Sequence, residues 1–389
     1  MKLLLIFFFS FFTLLAQEKM NNIQEIIDEV KAQYAPDRRT AVFDITVNSE
    51  NGKVFIEGKT DLAEAKNDLL KKLSEADIKV EDKIQLLPLE ELGDKIYGVI
   101  NLSVANIRTK TENSAELSTQ ALLGTPVKVL ERSRGWFYIQ TPDKYLGWTD
   151  DDGFHPMNEE ELNAWNSSKK IIYTDYFGFS YSEEDLKSIP VSDLVYGDVL
   201  KLIEESDKFY QAEYPDGRTA FIPKEAALPY ELWISDVEPT SDNILTTAKS
   251  LMGLPYLWGG TSVKGVDCSG FTKTVYFLNG VMLPRDASQQ VHVGELVDTE
   301  NGFENLQPGD LLFFGRKGTD STKERITHVG IYIGDTEFIH SSGRVRINSL
   351  DKSRPNFSEY RFNTFVKAKR IISSINKNGV YSLKELKLF

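Results

Sequence analysis

Gly265-Val266-Asp267-Cys268-Ser269-Gly270-Phe271 is the stretch on which the rest of the chain turns. A glycine turn here delivers the single cysteine of the 389 residues to the start of an apolar-periodic helix, read over 267–279. Unpaired N–H groups and the positive end of the helix dipole act on a thiol at that place and favour thiolate. Composition alone favours a buried, inert cysteine, so its neighbours decide between the two. Just upstream, Tyr256-Leu-Trp-Gly-Gly260 supplies two glycines where backbone must pass closely, and a phenol able to donate to an oxyanion. The Cys268 backbone N–H is the other natural donor.

A thiol nucleophile needs a base, and the chain has four histidines. His155 lies in a connector, and His292 on a Gln- and Val-rich helix at a surface or pocket rim. His328 begins Thr327-His-Val-Gly-Ile-Tyr-Ile-Gly334, and His340 ends Glu337-Phe-Ile-His340. These read as two strands meeting at Gly334-Asp335. A two-residue loop there puts the two imidazoles on opposite faces of the sheet; an odd-length loop or a bulge puts them on one face. In the second case Cys268, His328 and His340 form the nucleophile, base and orienter of covalent acyl transfer. The same residue types also permit a Cys-His-His zinc site, although no fourth ligand stands at motif spacing.

Around this centre the segment 240–375 reads as helices first and strands after, an α+β layout. Helices are expected over 242–252, 267–279 and 287–294, with strands over 311–314, 329–333, 337–340 and 365–371. Asp310, in Pro308-Gly-Asp310, reads as a turn residue entering a strand. The charged stretch 316–325 reads as an inserted loop, either rimming the cleft or lying free on the surface.

Earlier in the chain an internal repeat stands at an offset of 73. Gly124-Thr-Pro-Val-Lys-Val-Leu-Glu131 aligns with Gly197-Asp-Val-Leu-Lys-Leu-Ile-Glu204. Trp136 falls on Phe209, Pro142-Asp143 on Pro215-Asp216, and Trp148 on Phe221. Matching polar, apolar and turn positions imply two copies of one small barrel, over 96–157 and 166–235, with a helical connector from Asn158 to Trp165. Residues 21–95 read as a small α/β accessory module: a helix over 22–34, strands over 40–47 and 53–58 around Ser49-Glu-Asn-Gly52, and a helix over 61–73.

The chain opens Met1-Lys2 and runs almost wholly apolar from Leu3 to Leu15 before Ala16-Gln17. One basic residue, a short apolar run and a small residue make a secretory signal over 1–16, too short for a comfortable membrane span. Export to a periplasmic or extracellular compartment follows, with no stable membrane span after cleavage. A formal net charge of −13 argues against a nucleic-acid partner.

The order of motifs resembles a known family. Tyr256-x-Trp-Gly-Gly260, Asp267-Cys268-Ser269-Gly270, Leu306-Gln-Pro-Gly-Asp-Leu311, Thr327-His328-Val-Gly-Ile-Tyr332 and Phe338-Ile-His340 resemble the NlpC family of papain-like cell-wall cysteine peptidases. The two repeats resemble bacterial SH3-like (SH3b) β-barrels. The whole is similar to γ-D-glutamyl-L-diamino-acid endopeptidases, which cut peptidoglycan stem peptides between D-Glu and the diamino acid. The resemblance implies Cys268 as nucleophile, His328 as base and acid, His340 as orienter and Tyr256 as oxyanion donor. It implies that Asp267 and Ser269 hold substrate polar groups, and that Asp286, in Arg285-Asp-Ala-Ser-Gln-Gln290, meets the free α-amine of an N-terminal L-Ala. Glu116 with Tyr145 or Trp148 is expected on an SH3b wall closing the cleft; a solvated Glu and barrel-core aromatics are the other reading. No metal or organic cofactor is implied, and the partners are stem peptides or muropeptides. A catalytically silent wall-binding protein and an acyl transferase using the same thiol are the rival functions.

Overall fold

The computed structural model describes residues 2–389, with side chains from Glu18 onward. The leader expected over 1–16 falls on residues whose side chains lie outside that description. Among the described residues no helix is long and apolar enough to cross a membrane.

Helix α1 (Lys2–Tyr34) leads into a three-stranded sheet of β1 (Phe43–Glu50), β2 (Lys53–Thr60) and β3 (Glu81–Leu86). β1 and β2 form a hairpin whose tip, Asn51-Gly52, has both residues at positive φ, as an Asn-Gly turn of this kind requires. β3 joins parallel to β2 after the crossover helix α2 (Ala63–Glu75). Ile23, Ile27 and Val30 of α1 meet Leu69 and Leu73 of α2 over Ile45, Ile56 and Ile84. The expected α/β module therefore gains a third strand, Glu81–Leu86, in which Ile84 alone is buried.

The repeat is visible as topology. The first sheet comprises β4 (Tyr97–Ile100), β5 (Val104–Arg108), β6 (Leu117–Leu122), β7 (Pro126–Ser133), β8 (Trp136–Gln140), β9 (Leu146–Asp150) and β10 (Phe154–Met157). After helix α3 (Glu159–Ser167) the second comprises β11 (Lys170–Tyr173), β12 (Phe177–Tyr181), β13 (Pro190–Val195), β14 (Val199–Glu205), β15 (Phe209–Glu213), β16 (Thr219–Pro223) and β17 (Ala227–Pro229). The strand orders are β10-β4-β7-β8-β9-β5-β6 and β17-β11-β14-β15-β16-β12-β13, the same order copy for copy. Each is an open ladder of seven strands rather than the closed barrel expected. The copies meet at the repeated turn, where the Val199 N–H donates to the Leu123 carbonyl at 3.0 Å.

Helices α4 (Tyr230–Asp236) and α5 (Ser241–Ser250) lead to the last domain, where α6 (Cys268–Phe277) and the single turn α7 (Ala287–Gln290) follow. Short pairs β18 (Thr261–Ser262) with β19 (Gly265–Val266) precede α6, and β20 (Val281–Met282) follows it. Then come β21 (Glu295–Val297), β22 (Leu311–Arg316), β23 (Arg325–Gly334), β24 (Glu337–Ser342), β25 (Arg344–Ser349), the helix α8 (Glu359–Thr364) and β26 (Phe365–Arg370). The sheet is antiparallel throughout, in the order β21-β26-β22-β23-β24-β25. Phe271 and Val275 of α6 pack on Val329, Ile331 and Ile339, and each fully buried side chain of this kind contributes about 1.5–3 kcal/mol. That packing presses the first turn of α6 against the middle of β23.

Candidate active site

Asp267 caps α6: its Oδ1 accepts the Gly270 N–H at 2.7 Å, which fixes where the helix begins. Cys268 is therefore its first residue. Close backbone approach is what the surrounding glycines permit. A Cβ on Gly270 would lie 1.9 Å from the Gly260 carbonyl oxygen, and one on Gly259, at φ +80, would lie 2.3 Å from that of Leu117 in the first seven-stranded sheet.

Burial works against ionisation of the thiol. Cys268 is only 9 % exposed, and burial, with the Asp267 carboxylate next to it, pushes the thiol up to about 11. The N–H groups of Val329 and Ser269 and the Arg285 guanidinium act in the opposite direction and lose. Desolvation thus opposes the thiolate that the helix dipole favours. The Val329 N–H aimed at the sulfur sets Cys268 beside the strand position that carries His328.

The two imidazoles share one face of the sheet. The hairpin turns on Asp335-Thr336, both at positive φ, one residue later than Gly334-Asp335. A two-residue loop alone would separate the imidazoles, but the register shifts by one between Tyr332 and Gly334, and that bulge restores a common face. His328 Nε2 and His340 Nδ1 lie 2.7 Å apart, and His340 Nε2 lies 2.9 Å from Asn348 Oδ1 on β25.

Asn348 sets every proton in that row. Its Nδ2 donates to the Asn356 carbonyl at 2.9 Å, an acceptor only, so its Oδ1 must face His340. His340 then carries its proton on Nε2 and accepts at Nδ1, and His328 donates from Nε2. In that tautomer the Nδ1 of His328 is the ring's acceptor nitrogen. Burial keeps both rings neutral: His328 is held well below the usual imidazole value, and His340 is lowered to about 4.

Cys268 opens into a cleft of ≈ 960 Å³ between the first seven-stranded sheet and the last domain. Tyr256 lines it half-buried, its phenol pushed up to about 12 by burial and by the neighbouring thiol, and so it remains a donor. Glu116 and Tyr145 also line the cleft. Glu116 accepts the Trp258 indole N–H at 2.7 Å. Asp286 Oδ2 accepts from the Tyr145 hydroxyl at 2.9 Å and from Arg39 Nη1 at 2.6 Å. Trp148 stands apart from this wall; its ring packs at 5.0 Å on Tyr138, which faces the cleft in its place. His292 is exposed at the rim, and Glu324 and Arg325, at the end of the inserted loop, rim it too.

Asp267 lines the cleft and Ser269 does not, and both are buried in one hydrogen-bonded network. The Asp267 carboxylate accepts from the Gly259 and Gly270 N–H groups and from Arg285, and Ser269 Oγ bridges Asp267 and Arg285. Arg285 is 1 % exposed and also reaches Thr119 Oγ1 of the first sheet at 3.0 Å. Truncating it strands a buried carboxylate. Arg285→Met is expected to cost about 3–5 kcal/mol, seen as a lower midpoint of chemical unfolding; an unchanged midpoint contradicts this account.

Three of these groups carried no sequence signal as site residues. Asn348 follows no motif, Arg285 was visible only as a neighbour of Asp286, and Arg39 arrives from the N-terminal module. The Arg39 guanidinium is clamped by Asp37, and it also reaches Ser288 at 2.9 Å. Among the described residues no cluster of His, Cys, Asp and Glu suits a metal ion.

Comparison with known proteins finds two family models and several relatives. The NlpC/P60 family model matches residues 253–363, and that of the bacterial dipeptidyl-peptidase Sh3 domain matches 107–153. A γ-D-glutamyl-L-lysine dipeptidyl-peptidase of Bacillus cereus is 34% identical over 246 residues, covering 59% of this chain and 68% of that protein. The chain belongs to the NlpC/P60 family. It is a peptidase, a hydrolase. Another relative, dipeptidyl-peptidase 6 of Lysinibacillus sphaericus, is 27% identical over 66% of this chain and 93% of its own length. A crystal structure of an NlpC/P60 family protein from Bacillus cereus superposes with a TM-score of 0.59 at 26% identity, covering 70% of this chain and 99% of that one. Residues 21–95 lie outside both matched segments.

Proposed function

We propose that this NlpC/P60 peptidase is an exported cysteine endopeptidase that hydrolyses the γ-D-glutamyl–L-diamino acid bond of peptidoglycan stem peptides bearing a free N-terminal L-Ala. The observation that carries this reading is the cleft itself. It holds Cys268 together with the carboxylates of Asp286 and Glu116 and the Tyr145 hydroxyl, a set suited to an ammonium group. Asp286 Oδ2 is taken by Arg39 and Tyr145, so Oδ1, 3.8 Å from Arg285, is the oxygen left to meet a substrate amine. The names of the relatives support the same bond.

In this mechanism the substrate carbonyl enters beside Cys268. As sulfur attacks, its proton passes to His328 Nδ1, and the C=O pair becomes an oxyanion met by the Tyr256 hydroxyl and the Cys268 N–H. His328 returns that proton to the departing nitrogen, and the C–N bond breaks to leave a thioester. Water, deprotonated by His328, then releases the acid and restores the thiol. His340 and Asn348 are positioning residues that hold the tautomer. The complete proton row favours catalysis over a silent wall-binding role.

Digestion of L-Ala-γ-D-Glu-L-Lys and its N-acetyl twin tests this reading. Acetylation is expected to lower kcat/KM by about 30-fold or more through loss of a partly buried charged contact. Equal cleavage of the two peptides removes the amine-reading pocket from the account.

A further inference from the structure

Beyond the nucleophile a second cavity of ≈ 330 Å³ opens, sharing Tyr256 and Thr327 with the main cleft and walled by His328, Ser341, Ser342, Gly343, Tyr360 and Arg361. The imidazole that must protonate the departing amine lies in this wall, which makes the cavity the leaving-group side. Its lining contains hydroxyls and one cation, and no acidic residue.

That cation is unusually placed for a chain with 58 acidic and 45 basic residues. Arg361 is half-buried on α8, with its guanidinium 5.6 Å from the Phe314 ring and 5.2 Å from that of Tyr360. Among the described residues no carboxylate pairs with it, and the opposing charges it feels come from Tyr360, Cys268 and Tyr256. Burial pulls its pKa down, the sign of a cation left partly desolvated without a counter-ion. The charge of Arg346, exposed on the neighbouring β25, adds to the positive field at His328 and His340. An anion brought into this cavity relieves both costs.

We propose that Arg361 is a specificity determinant that binds a carboxylate on the residue leaving the γ-D-glutamyl bond. The inference rests on the reaction proposed above. Two sources supply such a carboxylate: the α-carboxylate of a diamino acid ending the peptide, and the second carboxylate of a diamino diacid such as meso-diaminopimelate. Either way, the enzyme takes stem peptides trimmed to, or acidic at, the diamino acid.

The test measures binding as well as turnover, on the full chain. Calorimetry on Cys268→Ala protein compares L-Ala-γ-D-Glu-L-Lys with its C-terminal amide, and both with the meso-diaminopimelate tripeptide amidated at the α-carboxyl. The lysine acid is expected to bind about tenfold tighter than its amide. Adding Arg361→Gln levels the two, and Arg361→Lys restores part of the preference. If the amidated diaminopimelate peptide keeps Arg361-dependent affinity, the second carboxylate is the partner; if it loses it, the α-carboxylate is. With Cys268 present, the acid preference is expected in KM rather than kcat. Equal binding of lysine acid and amide together with no effect of Arg361→Gln on the diaminopimelate peptide overturns the proposal. So does an equal loss for all three peptides, which would mark a structural role. Preferential binding without cleavage sinks the reaction and leaves the carboxylate site standing.

Discussion

Cys268→Ala is expected to lower kcat/KM on a defined tripeptide by about 10⁴-fold or more, read as product by mass spectrometry. The sulfur is the chain's single thiol, held by the Val329 N–H beside the strand position that carries His328, and what remains without it is binding and oxyanion stabilisation alone. Cys268→Ser should fare little better. The neutral thiol already sits high, at about 11, and His328 is a base weakened by burial. A serine hydroxyl, several units less acidic than a thiol, asks more of that base than it can supply. Folding is not the cause in either case, since replacing one small buried side chain costs about 1 kcal/mol and the melting temperature should move only a few degrees. An alanine variant that still cleaves refutes the assignment of the nucleophile.

The row behind His328 predicts graded losses. His328→Ala is expected to cost about 10⁴-fold in kcat, His340→Ala about 10³-fold, and Asn348→Ala about 10- to 100-fold. Asn348 acts only by fixing which nitrogen of His340 holds the proton, and an alanine there lets the ring adopt the unproductive tautomer part of the time. The acid limb of the pH profile gives a second reading. Both imidazoles have lowered pKa values, His340 near 4, so the neutral, base-competent row persists above those values and is lost as pH falls through them. The midpoint of the limb is therefore expected below pH 6 rather than at the ordinary imidazole value near 6.5. Because the Asn348 contact raises the His340 pKa, its removal lowers the plateau without moving the limb upward. A limb at or above 6.5 in the wild type contradicts the buried neutral row.

Much of this site was legible from residue type and local spacing. Asp267-Cys268 at a helix start, Tyr256 ahead of two glycines, and two histidines on neighbouring strands are short-range patterns, and the copied sheet was visible because Gly124 and Gly197 open the same turn. The desolvation of the thiol was not legible, because the sequence shows the helix end but not the burial that opposes it. The face shared by His328 and His340 depended on a one-residue bulge at Ile333 that no residue type marks. Trp148 was placed by its aromatic character alone, and Tyr138, packed against it, lines the cleft instead. Asn348 and Arg361 reach the site from late segments without motifs, and Arg39 from 247 residues before Asp286; tertiary folding alone unites them.

The N-terminal module does more than precede the catalytic unit. Beside the Arg39 contact, Leu87 packs with Leu130 and Leu146, and Lys59 pairs with Glu131 at 2.8 Å. A shortened protein beginning near residue 96 would retain the whole catalytic row, yet lose two arginines, 38 and 39, from the cleft wall. Its amine end would be more negative, and Asp286 would have one fewer partner. Substrate preferences measured on such a fragment would describe an enzyme with a different electrostatic end stop, so the boundary chosen for expression becomes a variable of the assay.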